Sequence, residues 1–196
     1  MTRDSYLNGI LKGVVNLFTG GAAVLDEQLQ RAERDERRAS RARGSRPGAD
    51  VLLSPGQEGA TATVEVTPPA AGDLRIAYAP DRDGDPDAGE VVWTWVPYDE
   101  RDGRGKDRPV LVIGAAPAGR VYAVRLTSVS HDGDRDYLEL GPGPWDSKGR
   151  PSWVDIEQIY SVHPDGMRRE AAALDLDRFT RVAAALHRRY GWAVGD

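Results

Sequence analysis

From Gly89 onward the chain breaks into short apolar runs set between polar turns, and that spacing most limits what it can fold into. Residues 91–96 are β-branched and aromatic, 110–113 form a short continuous apolar run, and 121–126, 137–140 and 158–162 supply three more. Runs this short, separated by polar stretches such as 99–107, read as strands rather than helices. Strands must share their backbone hydrogen bonds, so a small barrel or curled sheet is expected. The 22 glycines and 13 prolines in 196 residues favour the turns such a sheet needs. A helix is expected over about 175–189. Leu176, Phe179, Val182, Ala183, Leu186 and Tyr190 fall on one face of it, Asp175 or Asp177 can cap its start, and Arg188 and Arg189 suit its negative end. Its expected role is to cover one side of the sheet.

The first 88 residues have a different texture. Leu7, Ile10, Leu11, Val14, Val15 and Phe18 follow helical spacing, with Lys12 interrupting any membrane-span reading and Gly20 and Gly21 ending or breaking the helix. A second helical stretch, 22–42, turns into a basic arm. Three readings are open for the first helix: packing on the chain or a partner, contact with a membrane surface, or poor order. Residues 44–60 read as a linker, 61–67 alternate as a strand ended by Pro68 and Pro69, and 74–78 can add another. The 81–87 loop carries Asp at alternate positions, yet the twelfth position of a calcium loop would be Val92, so a solvated acidic turn is expected. The expected organisation is therefore a helical extension (1–43), a linker (44–60), an extension with added strands and an acidic loop (61–88), and a main domain (89–196).

Composition removes several classes. With no cysteine there are no disulfides, thiol nucleophiles or thiolate metal sites. No run of about 20 apolar residues is present, and the start lacks the order of a signal peptide, so a cytoplasmic location is expected. The net charge of −5 argues against nucleic-acid binding as a global number, but the acidity is concentrated in residues 51–100, with ten acidic and two basic side chains. Residues 101–196 are nearly balanced, and a local basic cleft would suffice. His131, His163 and His187 form no evident set, and no metal-ligand spacing occurs, so no metal and no cofactor is expected.

Four segments match one family in the same order. They are Gly89-Glu90-Val91-Val92-Trp93 followed by Val96-Pro97; Lys106-Asp107-Arg108-Pro109-Val110-Leu111-Val112-Ile113; Val124-Arg125-Leu126-Thr127-Ser128; and Trp153-Val154-Asp155-Ile156-Glu157-Gln158-Ile159-Tyr160-Ser161-Val162. In this order, followed by a helix, the carboxy-terminal half resembles the PemK/MazF family of toxin endoribonucleases. The resemblance implies a mainly β fold with flanking helices: a small SH3-like barrel of the PemK/MazF type closed by a C-terminal helix.

It also implies metal-independent, sequence-specific RNA cleavage, in which the ribose 2′-hydroxyl attacks the adjacent phosphate to leave a 2′,3′-cyclic phosphate and a 5′-hydroxyl. The family's arginine and threonine near the scissile phosphate map to Arg108 and Thr127, with Ser128 beside them. A guanidinium fork suits a phosphoryl group gathering charge, and no activated protein nucleophile is needed because the substrate brings its own. A carboxylate of the 99–107 loop, Glu100 or Asp107, is a candidate for holding Arg108 or acting on the 2′-hydroxyl. Lys106 and the loop residues Trp145, Lys148 and Arg150 are candidates for RNA contact, that loop being open also to a packed structural reading. Trp93 and Trp95 read as packing or interface residues, one on each face of the strand. Expected partners are single-stranded RNA, an antitoxin protein and a second copy in a homodimer. The alternative function is a non-catalytic nucleic-acid or protein binding module that keeps the barrel; a third reading gives the function to the amino-terminal helix.

Overall fold

The computed structural model describes residues 53–81, 85–98 and 102–195. The chain divides into two units, Met1–Val51 and Leu52–Asp196, and the described residues all belong to the second. The helices expected over 5–42, part of the acidic loop, and Glu100 lie outside the described residues. No helix among those described is long and apolar enough to cross a membrane.

Among the described residues are nine strands and one α-helix: β1 (Val64–Val66), β2 (Arg75–Ile76), β3 (Glu90–Pro97), β4 (Gly105–Ala116), β5 (Arg120–Thr127), β6 (Tyr137–Gly141), β7 (Ser152–Val162), β8 (Arg168–Ala173), α1 (Leu176–Tyr190) and β9 (Ala193–Val194). The main sheet is antiparallel and runs β1-β7-β5-β4-β3-β8, with β6 also on β7. No ladder joins its two edges among the described residues, so the closure expected of a barrel is not made by strand pairing. A coil does part of that work. Trp95 N donates to Pro55 O at the β3 edge, and the same segment goes on to become β1 at the β7 edge.

The sheet buries apolar side chains on both faces, which explains why the run at 110–113 is continuous rather than alternating. Leu111, Ile113, Val124, Leu126 and Val154 pack with α1 through Phe179, Val182, Ala183 and Leu186. Val110, Val112, Val121, Ala123, Tyr160 and Val162 form a second core on the face turned away from α1. The helix starts as expected, with Asp175 accepting from Arg178 N at 2.9 Å, and ends at Gly191. Leu176, expected on the buried face, is 55% exposed because it occupies the first turn, beyond the sheet's cover.

Residues upstream of Gly89 are part of this unit. Tyr78 donates its hydroxyl to Leu174 O and packs on Phe179. Gly89 has φ +107, and a Cβ there would lie 2.7 Å from the Tyr78 ring, so the glycine opening the first matching segment answers to a side chain outside it. β2 pairs with β9, and Trp192, 0% exposed, donates Nε1 to Pro69 O at 2.9 Å.

Candidate functional site

The site lies on the face turned away from α1, where alternate residues of four strands line up. Along β4, Lys106, Arg108, Val110 and Val112 share one parity, and the last two enter the second core. Along β5, Val121, Ala123, Arg125 and Thr127 do the same. Strand pairing sets Thr94 opposite Arg108, Thr127 opposite Trp153, and Trp153 opposite Glu139. Val110 stands opposite Arg125, where the β4–β5 pairing ends; Arg108 and Thr127, each two residues beyond, lie on the same face of their strands as that pair. The chain thus sets two pairs, Thr94 with Arg108 and Thr127 with Trp153, on one face toward one end of the sheet.

The two flanks of Arg108 differ. Thr94 is fully buried; its hydroxyl donates to Gly166 O at 2.6 Å and, having one proton, accepts from Thr63 Oγ1 at 2.6 Å. That knot closes the β3 side. On the β5 side, Thr127 is half-buried and accepts from Val129 N at 3.2 Å, which leaves its own proton for another acceptor. Ser128, half-buried, follows it directly. Arg108 is half-buried at the mouth of the strand. One guanidinium and two hydroxyls at a strand end form a donor set suited to an anion.

Two residues back along β5 lies a buried charge pair to which no motif in the sequence assigns a role. Arg125 NH2 contacts Asp155 Oδ2 at 2.6 Å, with the side chains 12% and 3% exposed. Tyr137 OH donates to the same oxygen at 3.3 Å and accepts from Arg125 NH2 at 3.2 Å. Asp155 Oδ1 accepts from Glu157 N and Gln158 N, which holds the irregular stretch of β7. Burial alone would depress the Arg125 pKa, but the surrounding Tyr160, Asp155 and Tyr137 outweigh it and raise the pKa, so the guanidinium stays charged. Burial, then the Asp155 charge, raises the pKa of Tyr137 and keeps its phenol neutral. The signal in the sequence was the two-residue spacing of Arg125 and Thr127, which puts both on one face.

Other expected residues fall elsewhere. Trp145 was a candidate for stacking a base; it is 2% exposed, packs in the core beneath α1, donates Nε1 to Ser152 Oγ at 3.0 Å and lies under Arg178, so it anchors its loop and is unavailable to RNA. Lys148 and Arg150 are exposed on that loop, where Arg150 pairs with Asp146 at 2.8 Å. Lys106 is half-buried opposite Val96. Asp107 does not hold Arg108. Adjacent strand residues point to opposite faces, and Asp107 instead accepts from Arg168 at 2.9 Å. Glu100 lies outside the described residues. Trp93 and Trp95, expected one on each face, share the face opposite Thr94, because residues two apart in a strand point the same way. The histidines serve separate local contacts: His131 stacks on Tyr137, His163 accepts from Asp165 N, and His187 bonds Trp192 O. Among the described residues no three metal-ligating side chains cluster.

Fold and site together define a small antiparallel β-domain with a terminal helix that presents an arginine and two hydroxyls at one end of its sheet. A family model described as "PemK-like, MazF-like toxin of type II toxin-antitoxin system" matches residues 87–189, and the chain belongs to that family. Among solved structures it resembles a MazF from Deinococcus radiodurans, at 23% identity, 55% of this chain, 97% of that one and TM-score 0.42. It also resembles a MazE–MazF structure from the same organism, at 24% identity, 54% of this chain, 96% of that one and TM-score 0.41. A third is an endoribonuclease from a mycobacterial species, at 16% identity, 55% of this chain, 94% of that one and TM-score 0.39. No curated protein sequence matches.

Proposed function

We propose that this protein is a toxin-type endoribonuclease that cleaves single-stranded RNA without a metal, in the cytoplasm, as a homodimer restrained by an antitoxin. The observation that supports the reading is that Arg108 and Thr127 fall on the same face of the neighbouring strands β4 and β5, in a chain of this family. Arg108 would hold two phosphoryl oxygens while the ribose 2′-hydroxyl attacks phosphorus. A bond forms from O2′ to phosphorus as O2′ gives up its proton to water, the bond from phosphorus to O5′ breaks as O5′ takes a proton from water, and the products end in a 2′,3′-cyclic phosphate and a 5′-hydroxyl. Charge accumulates on the phosphoryl oxygens in the transition state, where a fixed cation counts most. The Thr127 and Ser128 hydroxyls would orient the phosphate by donating to it. The buried Arg125–Asp155 pair supports β5 directly behind Thr127.

The antitoxin follows from the family, whose members are toxins of type II toxin-antitoxin systems. The test is incubation of a mixed RNA pool in EDTA with mapping of fragment ends. Cyclic phosphate and 5′-hydroxyl termini are expected. Removal of a preorganised donor to a developing oxyanion costs about 100-fold or more in rate, so Arg108→Ala should lose at least that while melting like the parent. Undiminished cleavage by folded Arg108→Ala would overturn the assignment.

A further inference from the structure

The turn that follows Thr127 and Ser128 carries a feature the cleavage chemistry does not use. His131 lies flat on Tyr137, with ring centroids 3.5 Å apart and planes 6° from parallel. Tyr137 is held from below by Arg125 and Asp155 on the face that bears Arg108 and Thr127. The upper ring is therefore supported by a fixed lower one, and its side chain remains 26% exposed.

The turn is built to present that ring. Val129 N donates to Thr127 Oγ1, Ser130 Oγ donates to Asp132, Asp134 N donates to His131 O, and Asp136 N donates to Asp134 Oδ1. Asp136 also pairs with Arg189 of α1, which ties the turn to the helix. His131 Nδ1 sits 3.7 Å from Asp134 Oδ2. Asp132, Asp134 and Asp136 against Arg135 leave the turn negative, a surface that repels phosphate but tolerates the flat face of a base.

We propose that the His131–Tyr137 stack is a nucleobase platform, on which one base beside the scissile phosphate lies against the outer face of His131. Stacking accepts any base, because every base has a π-face. The platform would thus fix the path of the strand while Arg108 holds its phosphate. This inference rests on the ribonuclease reading for its ligand, and its test is separable from that reading.

The probes are two fluorescent single strands of equal length: a random-sequence 2′-O-methyl RNA, which cannot be cleaved, and a fully abasic strand with the same backbone charge. Fluorescence anisotropy reads the ratio of their affinities for the wild type, His131→Ala and His131→Phe. One base–aromatic stack amounts to roughly 5- to 150-fold in affinity. The wild type should prefer the base-bearing strand by that factor. His131→Ala should lose about fivefold or more of the preference, since the Tyr137 ring then lies a full ring-thickness deeper. His131→Phe, which keeps a flat ring and drops the imidazole nitrogens, should retain it. An unchanged preference in His131→Ala, a loss in His131→Phe equal to that in His131→Ala, or a wild type that treats the two strands alike would overturn the platform. Cleavage of ordinary RNA by the wild type is scored in parallel. Its absence with base-dependent binding intact sinks the nuclease reading alone, and its presence with an unchanged His131→Ala ratio sinks the platform alone.

Discussion

Replacing Asp155 by Ala should be among the most damaging single changes in this domain that leave Arg108 and Thr127 themselves untouched. Its carboxylate is 3% exposed and serves four donors: Arg125 NH2, Tyr137 OH, Glu157 N and Gln158 N. Removing it strands the Arg125 guanidinium, 12% exposed, whose Nε already lacks a hydrogen-bond partner. Breaking a buried pair from one side costs about 3–5 kcal/mol. For a unit spanning residues 52–196, each kcal/mol shifts Tm by roughly 2–4 °C, so a fall of about 10 °C is expected. Asp155→Asn keeps an oxygen for the two backbone donors and loses the charge, and should cost about half as much. Arg125→Met combined with Asp155→Leu removes both charges and should recover part of the loss. Thermal melts of the singles and the doubles, read as a double-mutant cycle between Arg125 and Asp155, give the coupling directly. A cycle in which the single costs simply add, or an Asp155→Ala protein melting within about 3 °C of the parent, would refute the role given to this pair.

Three other outcomes follow from the same contacts. Gly56→Ala, far upstream of the family match, should cost about 2 kcal/mol or more: Gly56 has φ +79 and a Cβ there would meet Thr94 Oγ1 at 2.3 Å and Gly166 O at 2.5 Å. Trp192→Ala should cost about 3–5 kcal/mol by denaturant melts, since the ring is fully buried, stacks on Tyr190 and bonds Pro69 O. Alkaline stability should fall as pH rises past the ordinary tyrosine value of 10.0, because Tyr137 and Tyr190 bind their protons more tightly folded than unfolded. Ionisation then favours the unfolded chain first, and Tyr137→Phe, Tyr190→Phe and above all the double variant should flatten the drop in Tm between pH 9 and about 12.

Period and order were legible in the residues. The short β-branched runs became β3 to β7, the spacing of Phe179, Val182, Ala183 and Leu186 became the buried face of α1, and the four ordered segments identified the family, because each depends only on neighbours within a few residues. β8 was missed, since Arg168–Ala173 has no alternating apolar pattern and is a strand only because β3 offers it an edge. The same limit hid the fate of Trp145. An aromatic residue between glycines and prolines looks like a surface loop until the helix is laid over it. The catalytic candidates divide in the same way. Arg108 and Thr127 came from the chain's own motifs, but the face they share is set by the pairing of β4 with β5, and the binding of Arg125 to Asp155 by strands far apart in sequence. Local chemistry and periodicity, short-range properties, were fixed by the order of residues alone. Which side chains meet, and which of them water can reach, was decided by tertiary packing, because contact and burial belong to surfaces that exist only once the strands have paired.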